Sequence, residues 1–593
     1  MTQAPRYNSN NLHRRAATVG SAVTRTFFAV CALVLPNVSA SAQKLAPELQ
    51  GLDAQSTRRV IIQFHNPGTQ HHLSVLGRHG IRSHRELSVV NATSAELSGS
   101  AIRDLENDPN VAAIVPDQEV RAMGKPSFSD PLDYGWMTVL DVANTSTPFP
   151  YNGNGIGVAV IDSGVDLVND LKDDSGNSRI VYNESFVDKD PSTADAYGHG
   201  TFVAGLIAGN GDDSTGARYT YTIRGIAPAA KIVNLRVLDK NGSGTDSSVI
   251  AAIQRAIQLR SQYNIRIINL SLGRGISMSY VSDPLCQAVQ QAWNAGIVVV
   301  VAAGNSGRDN SHNTNGYGTI SAPANTPAVI TVGAMNTVGT LSRSDDKITS
   351  YSSKGPTLID HVVKPDLVAP GNLIFSLRDS RSSLDNANPQ NRVPVSAYSN
   401  SNDPTTPDYF VLSGTSVAAP MVSGAAALLL QQNPSLTPDQ IKAKLMKTAS
   451  KNFPTSSVAT DPQTGKQYVS QYDIFTVGAG YLDAGAAIHS DDPPPFKSAA
   501  SPTAVYNSSN NTVSLVTGSA VIWGSAVIWG NSVVWGSNVF VSGTAVIWGS
   551  SVVWGTSTTQ GFAVIWGSSV VWGDSNSTPD ALDASKVAVL GDK

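Results

Sequence analysis

Cysteine is nearly absent: the 593 residues include two, Cys31 and Cys286. That excludes a disulfide scaffold and any cysteine-rich zinc site. Charge is scarce as well. Only 15% of residues are Asp, Glu, Lys or Arg and the net charge is −4, so there is no general electrostatic case for nucleic acid as a partner. The apolar run from Phe27 to Val38 is broken by Pro36 and falls short of the roughly 20 residues that a membrane-spanning helix needs. What is present is a folding chain. A hydrophobic content of 41% with 7% aromatics excludes disorder over most of the length. Nearly 600 residues exceed one ordinary core, so three or four units are expected.

The two ends are unlike the middle. Arg6, Arg14, Arg15 and Arg25 precede the apolar run, no acid occurs before it, and Ala40-Ser41-Ala42 follows it. A basic start, a short apolar stretch and an A-x-A site predict a cleaved export signal over 1–42 and a secreted, extracellular protein. At the other end, Asp574 is the only charge between Ser501 and Ser575. Ala520-Val521-Ile522-Trp523-Gly524 recurs as Ala526–Gly530 and Ser532–Gly536, and again around Trp548, Trp554, Trp566 and Trp572, so seven of nine Trp lie here. An even spacing of six keeps Val and Trp on one side of an extended strand, and Gly with Ser or Asn supplies turns. The segment reads as a stack of short β-repeats held by their neighbours, or as a surface for self-association. Asp491-Asp492-Pro493-Pro494-Pro495 marks the linker before it. The expected division is signal 1–42, a small α+β unit 43–125, a large domain 126–490, linker 491–515, repeats 516–575 and a tail 576–593.

The middle alternates apolar runs with helix patterns. Ile156–Ile161, Lys231–Leu238, Ile265–Leu272, Gly296–Ala303 and Ala328–Ala334 are short, apolar and rich in β-branched residues, as strands buried on both faces are. Helix patterns at Ser247–Tyr263, Pro284–Ala295 and Ala418–Gln432 lie between and after them. The expectation is an α/β fold with a mostly parallel central sheet and helices on both faces, its site beyond the carboxyl ends of the strands. Thr437-Pro438-Asp439-Gln440 predicts a capped helix over Pro438–Thr448.

Four polar motifs interrupt this pattern: Ile161-Asp162-Ser163-Gly164, Gly198-His199-Gly200-Thr201, Ala302-Ala303-Gly304-Asn305 and Ser413-Gly414-Thr415-Ser416. Each alone has an ordinary reading as a turn, a cap or a packed side chain. Together they give Asp, His and Ser in one of the chain orders of the serine hydrolase triads, with an Asn between His and Ser. Over about residues 130–490 the chain resembles the subtilisin-like (subtilase) serine proteases. The resemblance implies Ser416 as nucleophile, His199 as base, Asp162 as its partner and Asn305 as an oxyanion donor. It implies that Ser271-Leu272-Gly273 and Gly242-Ser243-Gly244 flank an extended polypeptide substrate. Ala302-Ala303-Gly304 would form a wall of the main pocket, Ser321 would sit at its base, and Asp246 at the rim of the next pocket. No cofactor is required for this chemistry. Structural calcium is common in the family, but no loop here has an acidic spacing that assigns it.

The stretch before the domain has strand patterns at Arg59–Phe64, Glu86–Ala92 and Val111–Pro116, and helix patterns at His71–Arg78 and Ser94–Asn107. It resembles the subtilase propeptide, which makes the protein's own propeptide an expected partner, with processing between Arg121 and Ser129. Two functions stay open: a secreted endopeptidase made as a preproprotein, or a surface structural or adhesive protein that uses a protease-like frame and the Trp-Gly segment.

Overall fold

The computed structural model describes residues 44–122, 135–140, 149–311, 314–400, 407–454, 456–462, 464–491, 498–507, 512–516, 539–541 and 592. The expected signal, the processing segment after Ala122, most of the Trp-Gly repeats and the tail apart from Asp592 lie outside these residues.

Residues 44–122 begin with a small α+β unit. Strands β1 (Thr57–Phe64), β2 (Arg85–Leu87), β3 (Ala92–Ser98) and β4 (Val111–Pro116) form an antiparallel sheet in the order β2-β3-β1-β4, with helices α1 (Thr69–Arg78) and α2 (Gly99–Glu106). Two expectations need correction. Glu86–Ala92 is not one strand, because Ser88–Val90 make a tight helical turn that ends on left-handed Asn91. The second helix starts at Gly99, not Ser94, because Ser94–Ser98 pair with β1. The Ser98 hydroxyl then caps α2 by accepting from the Ala101 N–H at 3.3 Å. A further strand, β5 (Glu119–Ala122), leaves this unit and pairs elsewhere.

The large domain follows the expected α/β plan. After a short helix α3 (Gly135–Leu140), its strands are β6 (Gly157–Asp162), β7 (Ile180–Ser185), β8 (Lys231–Arg236), β10 (Ile265–Leu270), β12 (Val298–Ala302), β13 (Ile330–Asn336), β14 (Lys347–Ile348) and β15 (Leu367–Pro370). They order as β14-β13-β12-β10-β6-β8-β7, with β15 also on β13. Every pairing is parallel except β13 with β14. Every residue of β6 and β12 is buried, as a sheet covered on both faces requires. Helices α4 (His199–Ala208) and α8 (Thr415–Gln432) pack on each other and on the sheet, as do α5 (Asp246–Tyr263) and α6 (Pro284–Asn294). Between α6 and α8 lie helix α7 (Ser383–Ala387) and a hairpin of β16 (Ile374–Leu377) with β17 (Tyr409–Leu412). Helix α9 (Pro438–Thr448) carries the expected capping box between Thr437 and Gln440.

The remaining elements are a hairpin, β18 (Ser456–Thr460) with β19 (Gln467–Gln471), the short helix α10 (Ala484–His489), and β20 (Thr503–Asn507), β21 (Thr512–Val516) and β22 (Val539–Val541). The stretch read as a linker therefore includes the β20–β21 hairpin. Its start is tied to the domain. Asp366, Lys364 and Lys442 form a fully buried ion cluster, and the Ser501 hydroxyl donates to Asp366 at 2.5 Å.

Candidate active site

Each site residue sits where an element begins or ends. Asp162 is the last residue of β6. His199 opens α4 after Gly198, which holds a φ of 99° that a side chain would resist. Gly200 has no room for a methyl group, since a Cβ there would lie 2.0 Å from the Gly164 carbonyl oxygen. That close approach brings the start of α4 against the loop after Asp162. Ser416 is the second residue of α8, and Asn305 follows the end of β12 within a glycine turn.

The topology brings three of these side chains into one line. His199 Nδ1 lies 2.8 Å from Asp162 Oδ1, and His199 Nε2 lies 3.1 Å from Ser416 Oγ. All three residues are at most 1% exposed. Burial alone pulls the His199 pKa down, but the charge of Asp162 and its hydrogen bond outweigh this and hold it above the ordinary 6.5. Asn305 Oδ1 accepts from the Thr415 N–H at 2.9 Å and the Thr415 hydroxyl at 3.0 Å. Those bonds fix which end of the amide is the oxygen and leave the NH2 end as the donor side.

Two supports carried no clear sequence signal by themselves. Asp195, four residues before His199, accepts from the Ser163 hydroxyl, the Gly198 N–H and the Thr201 N–H, each at 2.7 Å. It fastens the turn after Asp162 to the start of the histidine helix. The other support involves Pro420, inside α8. Proline has no N–H to give the carbonyl four residues back, which is that of Ser416. The Ser271 hydroxyl donates to this carbonyl at 2.7 Å. Ser271 accepts in turn from Asn269 at 2.9 Å, and Asn269 accepts from Ser423 at 2.8 Å. A buried relay thus ties the segment beside the cleft to the nucleophile candidate.

The flanking segments form a three-stranded antiparallel sheet, β11-β5-β9, with β9 spanning Ser243–Thr245 and β11 spanning Leu272–Gly273. The middle strand is the chain's own Glu119–Ala122. Arg121 faces Ser243 and Gly273, Val120 faces Gly244, and Ala122 faces Leu272 while donating to the Gly242 carbonyl at 2.9 Å. Val120 is fully buried. Asp117, just before this strand, accepts from the Ser247 N–H at 2.8 Å at the start of α5. Ala303 and Ser321 are also brought together: the Ser321 N–H and hydroxyl donate to the Ala303 carbonyl at 3.0 and 3.2 Å. Asp246 departs from expectation. It is not on a pocket rim but 1% exposed, paired at 2.9 Å with the Arg274 guanidinium, which also meets Asp283 at 2.8 Å. A buried cation draws the acid inward, and the lone Arg274 gave no warning of it in the sequence.

Residues 153–472, just over half the chain, match the model of the subtilase family. The chain is a subtilase. It is 38% identical to serine protease AprX of Bacillus subtilis strain 168, over 60% of this chain and 73% of that protein. It is 32% identical to subtilisin E of the same organism, over 63% of this chain and 80% of that one. Among solved structures, fervidolysin of Fervidobacterium pennivorans, a keratinolytic enzyme related to subtilisin, superposes with a TM-score of 0.53 at 22% identity. That likeness covers 77% of this subtilase and 65% of fervidolysin, and it concerns the fold. With these relatives, this subtilase is a serine endopeptidase. Among the described residues, no group of three or more His, Cys, Asp or Glu side chains is placed to hold a metal ion.

Proposed function

We propose that the subtilase is a secreted, self-processing endopeptidase in which Ser416 attacks the scissile carbonyl. His199 takes the Ser416 proton and returns it to the leaving amine, while Asp162 holds the tautomer and stabilises the imidazolium. Asn305 and the backbone N–H of Ser416 receive the oxyanion. The hydrogen-bonded line from Asp162 through His199 to Ser416, at 2.8 and 3.1 Å, is the observation that carries this reading.

Residues 43–125 are proposed as a propeptide. The pairing of β5 between β9 and β11 supports this, because an extended substrate would need the same main-chain groups. In that reading Gly242, Ser243, Gly244, Ser271, Leu272 and Gly273 bind substrate main chain. Ala302, Ala303, Gly304 and Ser321 shape the pocket nearest the cut. Processing falls after β5 and before Ser129. Export is supported by the basic and apolar start of the sequence. A relative from Thermus sp. strain Rt41A, 33% identical, carries the description extracellular serine proteinase.

The test is intact mass of the secreted protein beside Ser416→Ala, with and without a fluorophosphonate. The wild type is expected to lose its propeptide and gain one label, and the variant to do neither. Equal masses without label would sink the assignment. The seven-Trp repeat favours a second reading, a surface or adhesive role, which predicts binding to cells or insoluble polymer by the full Ser416→Ala chain.

A further inference from the structure

In the sheet β11-β5-β9, among the described residues, the two outer strands are bonded to β5 and not to each other. Strands that flank a third lie about 9–10 Å apart, twice the strand spacing. Once β5 leaves, no backbone hydrogen bond can cross that gap and hold it at the width of one strand. A side-chain bridge does cross it. Thr245 ends β9 and Asp246 follows; Gly273 ends β11 and Arg274 follows. The Arg274 Nε donates to both carboxylate oxygens of Asp246, at 2.9 and 3.0 Å.

The bridge has a fixed footing. Arg274 Nη2 donates to both carboxylate oxygens of Asp283, each at 2.8 Å, and Nη1 to the Gly275 carbonyl at 3.1 Å. Asp283 caps α6 by accepting from the Leu285 N–H at 3.0 Å, and Asp246 opens α5. Acids are favoured at such helix starts, and α5 and α6 pack on each other. The Arg274 backbone is also pinned, donating to the Ala322 carbonyl at 3.0 Å and accepting from the Ala322 N–H at 2.8 Å. With β5 in place all three charged residues are buried. Burial works against the guanidinium charge, but the two carboxylates outweigh it and hold the Arg274 pKa well above the ordinary range.

The position of the bridge matters as much as its strength. Thr245 faces Glu119 and Gly273 faces Arg121, whereas Ser271, before the other end of β11, bonds the Ser416 carbonyl. The bridge thus lies where β5 enters the slot, away from the nucleophile candidate. The entering chain is met there: the Asp246 N–H donates to the Gln118 carbonyl at 2.8 Å, and the Gln118 amide donates to the Ser277 hydroxyl at 2.7 Å.

We infer that Arg274 is a positioning residue for polypeptide substrate: held by Asp283, it grips Asp246 and sets the width of the slot between β9 and β11 before a strand enters. This rests on the reading of those two strands as the walls of the substrate cleft. A slot set in advance lowers the ordering cost of binding. It favours an extended chain long enough to reach back to the bridge, as Glu119–Ala122 does, over a short ester or amide.

The test compares two 4-nitroanilides on the processed chain. Acetyl-Val-Arg-Ala-Phe repeats residues 120–122 in its first three positions, and acetyl-Phe is too short to span the slot. Asp246→Ala releases β9 and leaves Arg274 and Asp283 as a balanced pair, so no lone charge is buried. The ratio of kcat/KM for the long probe to that for the short one is expected to fall about tenfold, chiefly through KM of the long probe. Arg274→Lys keeps the charge but not the two-sided grip. It should lower the ratio at least about threefold, and it carries the test where Asp246→Ala does not fold. A ratio equal to that of the wild type in these variants would overturn the inference. So would an equal fall for both probes, which general damage to the domain would give. A wild type that gains nothing from the three added residues would refute instead the reading of β9 and β11 as substrate walls.

Discussion

Replacing Ser271 with alanine tests the relay beneath the nucleophile candidate. The hydroxyl donates to the Ser416 carbonyl and accepts from the Asn269 side chain, at 2.7 and 2.9 Å, in a fully buried setting. Its loss strands one acceptor and one donor. Each unsatisfied buried group costs about 1–3 kcal/mol, so about 2–6 kcal/mol is expected in all. The second step supplies a replacement donor. Pro420→Ala restores an N–H four residues after Ser416, in the position from which a helix normally serves that carbonyl. In the double variant, the Ser271→Ala penalty should shrink by about 1–2 kcal/mol. The coupling term of the double-mutant cycle cancels the general helix gain of removing proline. Urea unfolding of the four chains, in a Ser416→Ala background to stop autolysis, reads the effect as shifts in midpoint at constant slope. A penalty for Ser271→Ala below about 0.5 kcal/mol, or no coupling with Pro420→Ala, would refute the reasoning.

Three further outcomes are expected. The imidazole of His199 is held above its ordinary 6.5 and must be neutral to take a proton. Therefore kcat/KM should rise with pH through an ionisation above 6.5; in Asp162→Asn, turnover should fall by about 10⁴-fold, the scale known for triads including a member of this family, and a pH profile in both chains checks this. Gly200→Ala would drive a methyl group into the Gly164 carbonyl, 2.0 Å away; the displaced histidine should cost about 10²-fold in kcat, against a smaller change in KM from steady-state kinetics. Val120→Asp would place a charge at a fully buried position of β5, so β5 should leave its neighbours and the unprocessed chain should react with a fluorophosphonate at least about tenfold faster; an unchanged rate would show that β5 does not guard the site.

Much of this protein was legible along the chain because the signals are local. A buried parallel strand must be apolar on both faces, which marks β6, β10, β12 and β13 without any partner in view. The glycines of Gly198-His199-Gly200 and the Thr437–Gln440 cap announce their own backbone geometry. Asp162, His199, Ser416 and Asn305 stand out as candidates from their motif order, since the proposed chemistry needs those groups. What the sequence could not state is which distant residues meet. Asp246 looked like a rim residue until Arg274 and Asp283 enclosed it, because an ion pair depends on proximity and not on spacing. The break of Glu86–Ala92 was decided by β2 pairing with β3 across the turn at Ser88–Asn91, and the late start of α2 by the pairing of Ser94–Ser98 with β1, which overrides local preference. Ser271 met the carbonyl that Pro420 leaves unserved, Glu119–Ala122 entered between β9 and β11, and Asp592 reached Arg308 and Ser350. Each of these joins segments from about a hundred to nearly three hundred residues apart, and only the closed tertiary fold makes such groups neighbours.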